Sequence, residues 1–355
     1  MIWSRPRPRR TSRRGLRLFS VLVALILSVG FLAACSSDDS SASSSSGESG
    51  PTDAFPITVE HEFGSTTIES EPKRVVSVGY TEQDILLQLG VKPVAVTEWY
   101  GEQPYATWPW AQPLLGDDKP EVLSVTDGFE YEKIAGLSPD LIIGTNAGMT
   151  QEDYDKLSKI APTVGSVKGA SSYFSNWQEQ TKLIAKAVGR SAAGDQAVSD
   201  VENAYAKARA EHPDFEGKTA TFTQGEPYDG SLYTYPAGLN TDFFTDLGFV
   251  MKPGLEKFVP EPDSQALISA ENTDLIDADV VLFATETQEG FDALQKFGTV
   301  ANLDAVKEKR AVYTDATLSG AIYFLTPLSQ MYVIDNLVPL LDAAVKGESK
   351  QSFPS

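Results

Sequence analysis

The sequence is poor in the side chains that most enzymes use for catalysis. Its 355 residues include one cysteine, Cys35, and two histidines, His61 and His212. It has no Gly-x-x-x-x-Gly-Lys phosphate loop, no Gly-x-Ser-x-Gly nucleophile motif, no His-Glu-x-x-His zinc motif and no Cys-x-x-Cys pair. These absences exclude the common nucleophilic and acid–base arrangements, so we predict a protein that is not an enzyme. A hydrolase that uses carboxylates alone stays open.

Basic residues are scarce after the first segment of the chain. Seven of the 29 basic residues and none of the 49 acidic residues precede Cys35, which leaves the rest of the chain with 22 basic residues and a net charge of −27. Such a surface repels nucleic acid, so no nucleic-acid partner is expected. A strongly acidic surface also serves solubility without any partner.

The single cysteine follows a segment that is typical of an export signal. Seven arginines lie within positions 5–17, an apolar run extends from Leu18 to Leu32, and Leu32-Ala33-Ala34-Cys35 ends the segment. The tetrapeptide resembles the lipobox of bacterial lipoproteins. The resemblance implies that residues 1–34 are a signal peptide, and that Cys35 carries a diacylglycerol and palmitate anchor at the extracytoplasmic face of the cell membrane. Because Ser12–Leu16 resembles a twin-arginine motif, the export route stays open.

Composition and periodicity divide the rest of the chain. Residues 35–54 are rich in serine and almost free of apolar side chains, which predicts a flexible tether. Strands and helices then alternate over 55–188 and again over 214–355, and the continuous apolar strands favour parallel sheets covered on both faces. The sequence pattern of residues 189–213 predicts one long connecting helix. The predicted fold class is α/β, with two lobes of parallel-type sheets joined by that helix.

A repeated segment supports two similar lobes. Residues 132–143 resemble 271–282 at an offset of 139, and residues 150–157 resemble 287–294 at an offset of 137. Two matches in the same order and with nearly equal offsets favour an internal duplication over chance.

Several segments in order resemble one family of proteins. The chain is similar to substrate-binding proteins of ABC importers of the iron-siderophore, haem and cobalamin class. The resemblance is carried by residues 72–78, 89–96 and 132–143 and by the long central helix. It implies two Rossmann-like lobes, a rigid connecting helix, a ferric siderophore bound as ligand in the cleft between the lobes, and delivery of that ligand to an ABC permease. No cofactor is implied, and we expect a monomer.

The resemblance also implies two contacts with the permease. In this family a glutamate on each lobe meets arginines of the permease, and the motif falls on Glu132. The repeat gives Glu271 as its partner. Charge-assisted bonds from two such carboxylates would orient docking. The alternative is that each glutamate only complements the dipole of the helix that it opens.

Aromatic residues dominate the predicted carboxyl ends of the strands, where α/β sheets bind ligands. The candidate ligand-binding residues are Tyr80, Trp99, Tyr100, Trp108, Asn146, Tyr228, Tyr233 and Tyr323. Trp99, Tyr100 and Trp108 belong to one aromatic loop, and a rigid aromatic loop beside a cleft suits a large and partly apolar ligand. The alternative for this loop is a small hydrophobic cluster, or an exposed patch of a surface adhesin.

The positions of the remaining arginines limit the charge of the ligand. Arg74, Arg190, Arg209 and Arg310 all lie away from the predicted carboxyl ends of strands. Because a strongly anionic ferric catecholate would need an arginine cluster, we expect a neutral or cationic chelate such as a hydroxamate or mixed-ligand siderophore. Haem and cobalamin remain alternatives, and haem could use a tyrosine ligand.

Overall fold

The computed structural model describes residues 52–170 and 175–354. The predicted signal peptide 1–34, the lipidation site Cys35 and most of the tether 35–54 therefore lie outside the described residues. Within the described ranges, no helix has the length and apolar character that a membrane span needs.

Secondary-structure elements follow one another as alternating strands and helices. The first lobe contains β1 (Ile57–His61), β2 (Gly64–Ile68), β3 (Val75–Ser77), α1 (Glu82–Gln88), β4 (Ala95–Thr97), α2 (Gln112–Leu115), β5 (Glu121–Leu123), α3 (Tyr131–Gly136), β6 (Leu141–Ile143), α4 (Gln151–Leu157), β7 (Thr163–Val164) and α5 (Trp177–Ala187). The connecting helix is α6 (Ser191–Glu211). The second lobe contains β8 (Thr219–Gln224), β9 (Ser231–Tyr235), α7 (Asp242–Asp246), β10 (Val250–Met251), β11 (Ala266–Ser269), β12 (Val280–Ala284), α8 (Gln288–Gln295), α9 (Asp304–Lys307), β13 (Ala311–Tyr313), α10 (Ala316–Phe324) and α11 (Pro327–Val345).

The sheet of the first lobe is parallel, as the sequence predicts. Its five strands follow the order β5-β4-β3-β6-β7. Every residue of β3, β4 and β6 is buried, because helices cover both faces of the sheet. The hairpin β1–β2 instead alternates between buried and exposed residues along β1, as a strand with one solvated face does.

The sheet of the second lobe differs from the parallel sheet that the alternation predicts. Its order is β11-β9-β8-β12-β13, with β10 also beside β8. β8, β12 and β13 run parallel, whereas β9 is antiparallel to both β8 and β11. β9 follows β8 through a short turn at Tyr228–Ser231, and a connection of that length can only form a hairpin.

One face of α6 is buried between the lobes. The helix has 21 residues, which corresponds to about 31 Å. Ala197, Val198, Val201, Tyr205 and Ala208 form its buried stripe at a spacing of three or four residues. α6 packs on α5 of the first lobe and on α11 of the second, so it joins the two cores and does not merely connect them as a linker.

Equivalent aspartates tie equivalent strands in the two lobes. Asp140, before β6, accepts hydrogen bonds from the backbone N–H groups of Lys73 (2.7 Å) and Arg74 (2.8 Å). Asp279, before β12, accepts them from the backbone N–H (2.8 Å) and the hydroxyl (2.7 Å) of Thr219. Each bond fixes the start of the neighbouring central strand, so the sequence repeat has a structural counterpart.

Thr81 and Asp84 have the spacing of a capping box at the start of α1 but do not form one. Thr81 precedes the helix, and its side chain makes no capping bond. The Asp84 carboxylate instead accepts hydrogen bonds from Trp110 Nε1 at 2.6 Å and from Thr326 Oγ1 at 2.8 Å. Because Thr326 caps the N-terminus of α11, the Asp84 carboxylate links the first lobe to the second.

Candidate ligand-binding cleft

A cleft of about 450 Å³ lies between the lobes, at the carboxyl ends of the central strands. Its first-lobe wall consists of Tyr80 after β3, Trp99 and Tyr100 after β4, Asn146 after β6, and Ser175 and Gln180 near α5. Its second-lobe wall consists of Gln224, Tyr235, Asn240, Gln265, Glu286, Tyr323, Phe324 and Leu325. The volume suits a small-molecule ligand.

The structure brings most of the predicted ligand-binding residues together. The five that line the cleft are Tyr80, Trp99, Tyr100, Asn146 and Tyr323. Trp108, Tyr228 and Tyr233 are not among the lining residues. Tyr235, Gln224 and Gln265 line the cleft although the sequence analysis did not select them.

Trp99 is the centre of an aromatic wall. Its ring stacks on Tyr80 with centroids 5.6 Å apart and planes at 18°, and meets the edge of Tyr100 at 4.8 Å. The Phe324 ring of the second lobe lies 5.5 Å away. Trp99 is still 39% exposed, so a large part of its surface is available to a ligand.

Trp108 lies behind this wall and not on it. Its side chain is 2% exposed and stacks on Trp110 at 5.1 Å. The ring also presses on Gly101 and on Gly320 of α10, where an added Cβ would come within 2.5 Å and 2.6 Å of ring atoms. Trp108 therefore packs between the two lobes and supports the aromatic wall without lining the cleft.

Tyr228 and Tyr233 belong to the hairpin between β8 and β9. Tyr228 is 70% exposed at the tip of this hairpin, and its ring lies 6.1 Å from that of Tyr233. The tip therefore carries aromatic surface outside the lined cleft.

Three tyrosine hydroxyls act as neutral polar groups in the cleft. Burial raises the pKa of Tyr100, Tyr235 and Tyr323 above the ordinary tyrosine value, and Glu286 raises it further. The Tyr100 hydroxyl is buried without a hydrogen-bond partner. All three phenols stay protonated at neutral pH, so they can donate hydrogen bonds to oxygen atoms of a ligand.

Among the described residues that line the cleft, one side chain is charged, and it is acidic. Glu286 follows β12, and partial burial and then the nearby Glu226 raise its pKa. No basic side chain is among the residues that line the cleft in the described part of the chain. The four arginines bond elsewhere: Arg74 to the Leu137 carbonyl, Arg190 to Glu71, Arg209 to Glu216 and Arg310 to Glu308. Lys168 pairs with Glu60, and Lys252 donates to the Asp277 carbonyl.

A buried carboxylate positions two of the loops that form the cleft. Glu82 accepts hydrogen bonds from the Asn146 backbone N–H at 2.7 Å, the Thr145 hydroxyl at 3.1 Å and the Thr81 backbone N–H at 3.1 Å. Its pKa is raised by burial. The bonds tie the loop after β3 to the loop after β6, next to Tyr80 and Asn146. No sequence motif marked Glu82, because two of its three partners, Thr145 and Asn146, lie in a loop more than sixty residues further along.

Burial raises the pKa of Asp84 from 3.8 to about 6, although the bonds from Trp110 and Thr326 act in the opposite direction. One oxygen of the carboxylate is buried without a partner. In the unfolded chain the group ionises near 3.8, so the folded state binds its proton more tightly. The contribution of the protonated Asp84 to the free energy of unfolding is therefore greatest below pH 3.8, falls as the pH rises, and is fully lost above pH 6.

We expect the Asp84→Asn variant to lack this fall in the free energy of unfolding with rising pH. The stability difference between the variant and the wild type should change by about 2–3 kcal/mol in favour of the variant between pH 4 and pH 7. Urea unfolding at both pH values measures it, and taking the difference cancels other titrating groups. A difference that is independent of pH would contradict the role of Asp84.

The two glutamates predicted to meet a permease are both exposed. Glu132 lies in the first turn of α3, and Glu271 lies in the first turn of the 3-10 helix Ala270–Ile276. Neither makes an ion pair with another described residue. Both carboxylates are therefore free for a partner, and neither lines the cleft.

Neither histidine lines the cleft. His61 is buried and bonds to Thr66 at 2.9 Å, and burial lowers its pKa. At the end of α6, His212, Asp214 and Asp342 place side-chain oxygen or nitrogen atoms within 4.8 Å of one another. Asp342 is already paired with Lys346 at 2.7 Å, so this group is occupied by internal contacts.

A fold of two lobes with an interlobe cleft defines the class of protein. The chain belongs to the periplasmic binding protein family, whose sequence profile matches residues 75–318. Proteins similar to this chain include substrate-binding components of ABC transporters.

Individual relatives match over most of their length. The chain is 30% identical over 312 residues to the probable siderophore-binding lipoprotein YfiY of Bacillus subtilis, covering 83% of this chain and 90% of the relative. Among solved structures, a periplasmic solute-binding protein of Mycobacterium smegmatis is 40% identical with a TM-score of 0.76, covering 81% of this chain and 98% of that protein. PiaA of Streptococcus pneumoniae, solved with ferrichrome, is 28% identical with a TM-score of 0.69, covering 83% of this chain and all of that protein (100%).

Proposed function

We propose that the protein captures a ferric siderophore of the hydroxamate or mixed-ligand type in the interlobe cleft and delivers it to an ABC permease. The observation that carries the proposal is the lining of the cleft: aromatic rings, amides and neutral phenols, with no basic side chain among the described residues that line it. The names of relatives support it, because they include a siderophore-binding lipoprotein and iron(3+)-hydroxamate-binding proteins.

The charge of the cleft favours one class of chelate over another. A ferric catecholate is strongly anionic, and Glu286 would repel it, while the described lining residues include no cation that would compensate. A ferric trihydroxamate is neutral at its iron centre and offers oxygen acceptors to the phenols of Tyr100, Tyr235 and Tyr323. Since burial keeps these phenols protonated, they suit a chelate that already fills the coordination sphere of the iron better than haem, which would need a tyrosinate ligand.

A fluorescence-quenching panel tests the proposed ligand class. We expect ferric hydroxamates to quench the tryptophan emission of the purified protein at lower concentration than ferric catecholates, haem or cobalamin. Tighter binding of haem or cobalamin would replace the proposed ligand by one of the alternatives. Turnover of a chromogenic ester by the protein would instead favour a hydrolase.

Trp99→Ala should weaken hydroxamate binding about tenfold or more. An aromatic contact contributes about 1–3 kcal/mol once a ligand covers it, and the exposed Trp99 ring adds little to the core. Tyr105→Ala is the matched control, because Tyr105 is 37% exposed in the same loop but does not line the cleft. Equal affinities for wild type and Trp99→Ala would place the ligand elsewhere.

We further propose that Cys35 anchors the protein, as a monomer, at the extracytoplasmic face of the cell membrane. Relatives that carry the word lipoprotein in their names support this. Cys35→Ser should move the protein from the membrane fraction to the soluble fraction and leave ligand affinity unchanged. Retention of the variant in the membrane fraction would contradict the anchor.

A further inference from the structure

A second cavity of about 240 Å³ opens beside the main cleft. The two cavities share Ser175, Asn240 and Leu325 as lining residues, so they lie side by side. The backbone of Leu325 is held in the left-handed region, with φ of 51°. A ligand in the main cleft that extends past these three residues would enter the side cavity.

The side cavity is acidic. Asp242, in the first turn of α7, and Asp263 both line it, and no basic side chain does so in the described part of the chain. Both aspartates are exposed and neither has an ion-pair partner among the described residues. Two uncompensated carboxylates beside a concave surface attract a cation.

A buried amide in the same cavity lacks a partner. Gln330 of α11 is 3% exposed, lines the side cavity, and its amide nitrogen is buried without a hydrogen bond. A buried donor that stays unpaired costs about 1–3 kcal/mol. A hydrogen-bond acceptor supplied by a ligand would remove this cost. The unpaired amide therefore indicates a ligand in the side cavity independently of the two carboxylates.

We propose that the side cavity is a subsite for a cationic arm of the chelate, an inference that rests on the proposed function. The ferric centre occupies the main cleft among the aromatic rings and phenols. An arm of the same molecule enters the side cavity, where Asp242 and Asp263 neutralise a terminal ammonium group and the Gln330 amide donates to a carbonyl oxygen of the arm. The preferred substrate class is therefore a linear ferric trihydroxamate with a free terminal amine.

Two forms of one chelate test the subsite. The ligands are a linear ferric trihydroxamate with a free terminal ammonium group and the same chelate N-acetylated at that amine. We expect the wild-type protein to bind the ammonium form about tenfold more tightly in quenching titrations at low salt. The preference should shrink as salt is added, because exposed carboxylates are screened.

Variants of the protein test which residues cause the preference for the ammonium form of the chelate. Asp242→Asn/Asp263→Asn should bind both forms with the affinity that the wild type shows for the acetylated form. Gln330→Met should weaken both forms, because both keep the carbonyl acceptor. Asp246→Asn is the matched control: it removes one negative charge from the same helix without altering the cavity lining, so the preference should persist. Melting curves confirm that each variant is folded.

The outcomes separate the subsite from the proposed function. Equal wild-type affinities for the two forms, or a preference that survives in the double variant, would overturn the subsite and leave the siderophore proposal standing. Failure of both forms to bind would overturn the proposed function, and the subsite with it.

Discussion

Uptake of the ligand by cells is expected to collapse when Glu132 and Glu271 are both replaced by lysine, while ligand affinity in solution stays within about twofold. Both carboxylates are exposed and make no ion pair with another described residue, and neither lines the cleft. If they dock against permease arginines, as the family resemblance implies, lysines at these positions would meet the arginines with like charge, which costs several kcal/mol at an interface. Each single variant should also be impaired, because docking through one lobe loses the effective-concentration gain of the second contact.

Transport assays and quenching titrations on the same variants measure the two effects separately. Glu202→Lys/Glu348→Lys is the control, because it changes the charge equally at two exposed carboxylates, on α6 and after α11. Uptake should then remain near the wild-type rate. Normal uptake by the Glu132/Glu271 variant, or a large loss of affinity, would show that these glutamates do not dock the permease.

Trp108→Ala is expected to destabilise the fold by about 3–5 kcal/mol, as large-to-small changes of buried aromatic residues do. The indole is almost fully buried and packs on Trp110, Tyr100 and Phe324. Its neighbours Gly101 and Gly320 have no side chains that could fill the space. The sequence favoured direct ligand contact for Trp108, whereas its burial predicts a primary effect on stability.

Thermal and urea unfolding measure this effect. For a domain of this size the melting temperature should fall by about 10 °C. Trp108→Phe should lose less, because it keeps part of the packing. If Trp108→Ala unfolds at the wild-type midpoint while ligand affinity drops, Trp108 is a ligand-contacting residue after all.

The fold was predictable where patterns are local. Continuous apolar strands such as Leu141–Ile143 predict a buried parallel sheet, and these residues form the buried central strand β6. β9 and β11 escaped prediction because their pairing depends on a hairpin turn and on contacts over thirty residues. Asp84 has the spacing of a capping residue, but its hydrogen bonds come from Trp110 and from Thr326, which is 242 residues away.

The sequence predicted which loops line the cleft, but not which side chains of a loop face it. Strand-end position selected Tyr80, Trp99, Tyr100 and Asn146, because ligands gather at carboxyl ends of parallel strands. The same rule could not show which tryptophan of an aromatic loop faces outward, since Trp99 and Trp108 differ only in long-range packing. Tyr235 was missed because it ends an antiparallel strand that the sequence pattern did not reveal.

The position of α11 has a consequence for how the chain is made. This last helix of the described residues packs on α1, the first of them, with Leu328 against the cluster of Leu87, Ala111 and Leu115, and Thr326 donates to Asp84. Part of the surface of the first lobe is therefore covered by residues that are synthesised near the end of the chain. A chain stopped before Thr326 leaves Asp84 without one of its two hydrogen-bond donors and exposes the apolar cluster around Leu87. Because α11 also packs into the core of the second lobe, its removal would expose apolar surface in both lobes.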